Sequence, residues 1–369
     1  MAPTARPTSG APVDWAVAAR VASRLVRPGP ATDRAQVADL VADLHRAAAT
    51  AADHVGEATG MRPADGDQRL SRVRVVDRRT WARANTEMVD ALTGTVPLPA
   101  GERPPSAAGR LAGGVQAGAV LAVLASRVLG QFDPFSPRAP AEPGTTAAGS
   151  TDGGGPSRGR LLLVAPNVLT VERVMRVDPA DFRLWVALHE QTHALQFATA
   201  PWLEGHLRAR MGELLAGLAD DDGPFGLAAA RSALSRRGAG DDGGGLPALL
   251  PPATRRALDE VGAVMALLEG HADVTTDLVG RAVVPSVRQI RARFDRRRAG
   301  SHRLGSVLLR RALGLDLKLA QYRDGATFVR RVRRWAGPDG LNAVWADPDN
   351  LPTAQEIAHP RTWVRRVHG

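Results

Sequence analysis

The sequence of 369 residues contains no cysteine, which excludes disulfide bonds and metal sites built from thiolates. The stretch from Met1 to Val13 has a single arginine and no apolar core, so it does not predict a signal peptide. In the rest of the chain we find no apolar run that predicts a membrane-spanning helix. These absences favour a cytoplasmic protein that does not interact with a membrane.

Lysine and aromatic residues are also scarce. The net charge of +10 comes almost entirely from arginine, while aromatic residues make up 4% of the chain. A basic chain can bind nucleic acid or acidic ligands, but the abundance of Ala, Gly and Pro indicates GC-rich coding as the source of the arginines. Few aromatic residues lie among the arginines between Pro285 and Arg334, so no surface for base stacking is predicted. Nucleic-acid binding is kept as a minor hypothesis.

The stretch from Asp178 to Trp202 predicts a helix that is buried on most of its surface. Asp178 suits the N-cap position and Pro179 suits the first helical position. No Gly or Pro interrupts the chain before Pro201, and apolar residues recur at helical spacing.

This predicted helix contains the pattern H-E-x-x-H at residues 189–193. His189 and His193 are four residues apart, so they project from one helix face and can bind a single metal ion. Glu190 is placed to take a proton from a metal-bound water, which is the role of a general base. A chance match on an ordinary helix is the alternative, because the pattern has only three fixed positions.

A second predicted helix, from Pro252 to Val279, contains Glu269 and Asp273. Zinc in a catalytic site has three protein ligands and one open position, and Glu269 provides the third ligand. Asp273 lies on the same helix face and is predicted to accept the free N–H of a ligating histidine. His271 lies on another face, and we expect it to contact the substrate or the transition state. The mid-helix Gly270 predicts close approach of the two site helices.

The run from Phe182 to Phe197, with Pro201 to Leu203 and Leu268 to Asp273, resembles the zincin-like metallopeptidase type 2 family. Its members are largely actinobacterial proteins described as metal hydrolases, some with a label that links them to deazaflavin-coenzyme biosynthesis. The resemblance extends to Val13–Trp15, Val76–Arg78, Val283–Ser286 and Gln321–Gly325, and so to most of the chain. It implies a mainly helical zincin-like fold, with an H-E-x-x-H helix, a separate Glu-bearing helix and a small strand element. The E-x-x-x-D arrangement at residues 269–273 is similar to that of the gluzincins.

Tyr322, the one tyrosine of the chain, falls in one of these family landmarks. Tyrosine can stabilise a developing oxyanion in zincin chemistry, so Tyr322 is a candidate catalytic residue. A phenol that only packs against its neighbours is an equally good interpretation.

Composition divides the chain into four parts. Residues 1–12 are predicted to be disordered, and residues 13–132 to form an N-terminal helical part that ends with one helix over 107–132. Residues 133–159, rich in Pro, Gly, Ser and Thr, predict a flexible linker. Residues 160–369 are predicted to form the zincin-like metal-binding part, packed with the first part as one unit. Within it, residues 160–168 predict a strand that either pairs with an extended substrate or is a structural edge strand, and the tail after Pro338 is predicted to be loop-rich.

These observations predict a zinc metallopeptidase or related hydrolase that acts on a peptide or small amide. His189, His193 and Glu269 are the expected zinc ligands, with Glu190 as the base. The alternative is a structural zinc site in a scaffold or partner-binding protein, where His271 or Asp277 would be a fourth ligand.

Overall fold

A three-stranded mixed sheet lies between helices in the computed structural model. The structure describes residues 13–67, 69–93, 106–136, 159–219, 251–300 and 321–369, with the backbone alone at 215–219, 298–300 and 321–323. The strands are β1 (Arg72–Val76), β2 (Gly130–Asp133) and β3 (Arg160–Val164). The helices are α1 (Trp15–Leu25), α2 (Arg34–Thr59), α3 (Arg78–Thr93), α4 (Ala107–Ala125), α5 (Ala165–Met175), α6 (Pro179–Thr199), α7 (Trp202–Ala219), α8 (Pro252–Val283), α9 (Val287–Gly300), α10 (Gln321–Asn342), α11 (Ala354–Ala358) and α12 (Pro360–His368).

Strand β3 is the centre of the sheet, parallel to β1 and antiparallel to β2. Its residues Leu161 and Leu163 belong to the larger hydrophobic core, while Leu162 and Val164 belong to a smaller core on the opposite face. A strand that is buried on both faces has apolar residues at successive positions, which explains the run of leucines and valine in β3. The larger core extends from α2 to the last helix, where Trp363 is fully buried.

Helix α6 forms as its local sequence predicts. The side chain of Asp178 accepts a hydrogen bond from the backbone N–H of Asp181 at 2.9 Å, and Pro179 is the first helical residue. The helix ends before Pro201, and its buried residues extend along most of its length. This buried helix carries both histidines of the H-E-x-x-H pattern.

Helix α8 approaches α10 closely through two glycines. A Cβ atom on Gly270 would lie 2.2 Å from the backbone carbonyl carbon of Gly325, and one on Gly325 would lie 1.9 Å from the carbonyl oxygen of Ala266. The predicted close approach at Gly270 is therefore real, but the neighbour is α10 and not the other site helix. Sequence spacing identifies a need for close packing without identifying the partner.

Three predictions of secondary structure were wrong. The helix predicted over 107–132 ends at Ala125, and the edge strand β2 begins at Gly130, within the predicted range. The strand predicted over 160–168 ends at Val164, because a helix with proline in its first turn begins at Ala165. It is also the central strand of the sheet, so its backbone is already paired on both sides. The tail after Pro338 contains α11 and α12 and two 3₁₀ turns, Ala343–Trp345 and Pro348–Asn350.

By length and composition alone, α4 could cross a membrane, which contradicts the expectation that no such run exists. About 17% of its apolar window is buried, and a single helix of this kind is weak support for a membrane span. It packs on α1 through Gly114 and Gly118, where a Cβ atom would meet the backbone oxygens of Asp14 and Ala18 at 2.5 and 2.6 Å.

The fold class predicted from the sequence, mainly helical with a small strand element, is confirmed. The predicted division into parts remains a prediction. Residues 1–12 and most of the predicted linker, 137–158, lie outside the described residues.

Candidate metal centre

Three ligand atoms from two helices meet at the predicted site. His189 and His193 of α6 direct their Nε2 atoms towards the carboxylate of Glu269 on α8, at 3.4 and 3.7 Å from its two oxygens. One ligand atom from each residue lies within 4.8 Å of the others. Ligands placed about 2.0–2.1 Å from a tetrahedral zinc ion are separated by roughly 3.4 Å from one another, so the spacing fits that ion. Two imidazoles and one carboxylate also form a donor set that suits zinc.

Glu190 is buried beside these ligands, and β2 encloses it. A Cβ atom on Gly130 would lie 2.5 Å from Cγ of Glu190, so only glycine leaves room for this carboxylate. The pKa of Glu190 is raised to about 7, chiefly by burial; the charge of Glu269 also raises it, while His193 and the Phe132 backbone lower it. A carboxyl group with a pKa near neutrality is suited to accept and return a proton.

The outer edge of β2 faces the site. The backbone N–H of Val164 donates to the carbonyl of Leu129 at 2.8 Å, which makes these two residues a hydrogen-bonded pair across the strands. Because such pairs alternate along antiparallel strands, Gly130 and Phe132 direct their backbone groups away from β3. The hydrogen bond between the Phe132 backbone and Glu190 agrees with this orientation.

A cavity of about 280 Å³ opens over the three candidate ligands, His189, His193 and Glu269. Its walls are mostly apolar side chains from β2, the residues after it, and helices α3, α6, α7 and α8. The lining residues other than the ligands and Glu190 are Met88, Gly130, Gln131, Phe132, Pro134, Phe135, Phe197, Leu207, Met265 and Leu268.

The two histidines of the H-E-x-x-H pattern have different partners at their Nδ1 atoms. Nδ1 of His189 lies 3.9 Å from Oδ1 of Asp273, and Arg291 of α9 holds the same carboxylate at 3.3 Å. Asp273 is thus near the histidine that it was predicted to orient, at a distance longer than a hydrogen bond. Nδ1 of His193 lies 3.0 Å from Oε1 of Gln196, one helical turn further along α6.

His271 is not among the residues that line the cavity. Its side chain is 3% exposed and its ring meets Trp345 edge-on at 5.3 Å. Nδ1 of His271 lies 3.1 Å from Nε2 of Gln196. Burial lowers the pKa of His271 to about 3, as do the charges of His193 and Arg333. The structure therefore places His271 behind the ligands, and this position differs from the expected contact with substrate.

Tyr322 lies in the first turn of α10, and its side chain is outside the described part of the structure. Gln196 is the site residue that sequence reasoning missed. Its position three residues after His193 was the available signal.

A mainly helical chain in which an H-E-x-x-H helix meets a glutamate from a second helix has the features of a zincin-like protein. The sequence model of one family, described as zincin-like metallopeptidase, matches residues 13–364, and the chain belongs to this family.

A crystal structure from Chloroflexus aurantiacus, described as a novel fold and a candidate hydrolase, is similar to this chain. The two share 31% sequence identity, with a TM-score of 0.64 over 96% of this chain and 98% of the other. No curated protein matches the chain significantly. Family and structural neighbour together support a metal-dependent hydrolase.

Proposed function

We propose that the protein is a zinc-dependent hydrolase, and specifically a peptidase or amidase. The observation that carries the proposal is the meeting of His189, His193 and Glu269 beside the enclosed carboxylate of Glu190. A zinc ion held there would supply Lewis acidity and an activated water. The separation of the ligand atoms supports zinc, since it is close to the edge of a tetrahedral site.

Glu190 moves the proton in this proposal. Its carboxylate accepts a proton from water as the water attacks the substrate carbonyl, and donates it to the leaving nitrogen afterwards. The Phe132 backbone and the absence of a side chain at Gly130 hold the carboxylate in this position. Gln196 contacts Nδ1 of His193 from behind at 3.0 Å, and Asp273 lies near Nδ1 of His189 at 3.9 Å.

The cavity favours a substrate with an apolar group next to the bond that is cleaved. Phe132, Phe135, Phe197 and Met265 lie on its walls. An extended peptide can pair with the outer edge of β2 at Gly130, whose backbone groups point away from β3, and at the Phe132 carbonyl, while the Phe132 N–H binds Glu190. This role falls to β2 in place of the strand over 160–168, whose two sides are already paired.

The alternative of a closed structural zinc site needs a fourth protein ligand. The two residues suggested for it have other partners. His271 is hydrogen-bonded to Gln196, and Asp277 binds Arg291 at 2.6 Å and Arg330 at 3.1 Å. Among the described residues, the group with metal-binding spacing contains three members. These contacts favour the open, catalytic arrangement.

Metal content and peptide cleavage test the proposal together. The parent protein and Glu190→Gln are expected to contain one zinc each, because Glu190 is not a ligand, and only the parent is expected to cleave members of a peptide library. Glu57→Gln, an exposed change on α2, serves as the control and should behave as the parent does. Turnover by Glu190→Gln would contradict the mechanism, and absence of zinc from the parent would contradict the metal site.

A further inference from the structure

A buried hydrogen-bond network behind the metal ligands connects α6 to α8. Gln196 is fully buried and contacts three polar groups. Its Oε1 lies 3.0 Å from Nδ1 of His193, and its Nε2 lies 3.0 Å from the carbonyl oxygen of Leu268 and 3.1 Å from Nδ1 of His271. All the polar atoms of the amide therefore have partners.

The Leu268 carbonyl determines which way this amide points. A carbonyl oxygen can only accept a hydrogen bond, so the group that faces it must be the NH₂ of Gln196. The amide oxygen then faces His193 and can only accept. Nδ1 of His193 must therefore carry the proton, which leaves the lone pair on Nε2, the atom directed towards Glu269.

We propose that Gln196, anchored by Leu268 and His271, is a positioning residue that fixes the metal-binding tautomer and ring orientation of His193. The inference rests on the proposed zinc site and deepens it. Metal-bound histidines commonly donate their second ring N–H to an acceptor, and loss of that acceptor weakens metal binding. Here a neutral amide performs for His193 the task that Asp273 was expected to perform for a ligand histidine.

His271 anchors the amide in this arrangement. The second N–H of Gln196 points at Nδ1 of His271, so this nitrogen must be an acceptor, and the ring is held against Trp345. Gln196 cannot rotate about its last torsion without losing bonds to both Leu268 and His271. The amide oxygen consequently stays in line with Nδ1 of His193.

A matched pair of glutamines on α6 separates this role from general stability. Gln191 is 3% exposed, and its Nε2 donates to the backbone carbonyl of Ala48 at 2.9 Å, on the side of the helix away from the ligands. Gln191→Met and Gln196→Met each replace a buried amide by an apolar chain of similar length. We expect both to lower the melting temperature of the metal-free protein.

Zinc affinity, measured by competition with a chelator, should distinguish the two variants. Gln196→Met is expected to lose about 10- to 100-fold in affinity, the usual effect of removing a partner behind a metal ligand, while Gln191→Met keeps the parent value. The visible spectrum of the cobalt-loaded protein should change in the first variant and not in the second. Equal zinc affinity in the parent and Gln196→Met would overturn the inference while leaving the proposed function intact. Equal losses in both variants would also overturn it, and a parent that binds no zinc would overturn both.

Gln196→Glu provides a rescue. A protonated glutamate at this position still offers His193 an oxygen acceptor and keeps one O–H donor for Leu268 or His271, although it costs stability in a buried site. We expect zinc affinity closer to that of the parent than Gln196→Met shows, despite a lower melting temperature. If Gln196→Glu binds zinc more weakly than Gln196→Met, the side chain acts only through stability and the inference is wrong.

Discussion

Gly130 and Glu190 are in such close contact that any side chain at position 130 would displace the carboxylate. A Cβ atom there would lie 2.5 Å from Cγ, 2.8 Å from Cδ and 2.9 Å from Oε1 of Glu190. The edge strand β2 therefore acts as a wall that defines where the proposed general base can lie. The three atoms nearest to that Cβ all belong to Glu190, so a substitution at Gly130 acts first on the proposed base.

Gly130→Ala is expected to reduce turnover sharply while zinc binding and overall stability change little. A displacement of about 1 Å at a reacting group can cost about 100-fold in rate. Gly205→Ala on α7 is the control, since nothing lies within 4 Å of a Cβ atom there. Cleavage rate and zinc content of both variants would be measured. Full activity of Gly130→Ala would show that the position of Glu190 is not critical.

Glu269→Ala should weaken zinc binding by more than the roughly 10- to 100-fold cost of losing an outer partner, because it removes a ligand. Glu260→Ala is the matched control variant. Both glutamates lie on α8, with side chains 39% and 51% exposed, and Glu260 is paired with Arg210 at 3.4 Å. Chelator competition on the two variants measures the difference. Similar zinc affinities for both would move the third ligand to another residue.

The raised pKa of Glu190 makes the stability of the metal-free protein depend on pH. The carboxyl group has an ordinary pKa of 4.5 when unfolded and about 7 when folded. Between these values the folded state keeps a proton that the unfolded state has released, so the free energy of unfolding falls as pH rises. Glu190→Gln has no such group and should escape this loss.

Metal-free Glu190→Gln is therefore expected to resemble the parent most closely below pH 4.5 and to become progressively more stable than it up to about pH 7. The difference between the two pKa values corresponds to a change in the free energy of unfolding of at most about 3 kcal/mol. Urea unfolding with chelator present, repeated across this pH range, measures the difference. A stability difference that stays constant with pH would contradict a buried carboxyl group with a raised pKa.

Local signals explain why the H-E-x-x-H helix could be predicted from sequence. Asp178 and Pro179 are adjacent in the chain and act within one helical turn, so the start of α6 follows from short-range chemistry. Glu269 was predicted as the third ligand because a zinc site with two histidines needs one more, and this role stays a prediction. The geometry confirms that these three residues lie close enough to share an ion.

Features that depend on distant contacts could not be predicted in the same way. Gln196 has its anchors 72 and 75 residues further along the chain, and helical periodicity does not reveal such pairs. Strand β2 has only four residues and follows an Ala-rich helix, so the apolar pattern of that helix obscured it. The buried position of His271 depends on Trp345, which belongs to a tail whose helices were not predicted.

Two glycines of α8 give a final prediction, in which the same substitution should have opposite effects. Nothing lies within 4 Å of a Cβ atom on Gly262, whereas a Cβ atom on Gly270 would overlap the backbone of Gly325 and Ala326 on α10. Alanine is favoured over glycine inside a helix by about 1 kcal/mol, so Gly262→Ala should raise the free energy of unfolding. Gly270→Ala should lower it by about 1–3 kcal/mol, because the two helix backbones must separate.

Gly270 is also the neighbour of Glu269, which links this packing to the site. Separation of α8 from α10 would shift Glu269 relative to the two histidines of α6, so Gly270→Ala should also weaken zinc binding. Gly262→Ala lies two turns away and should leave it unchanged. Urea unfolding and chelator competition on both variants measure the two effects. If Gly270→Ala stabilised the protein as Gly262→Ala does, the close crossing would not exist, and α10 would not determine where the third ligand lies.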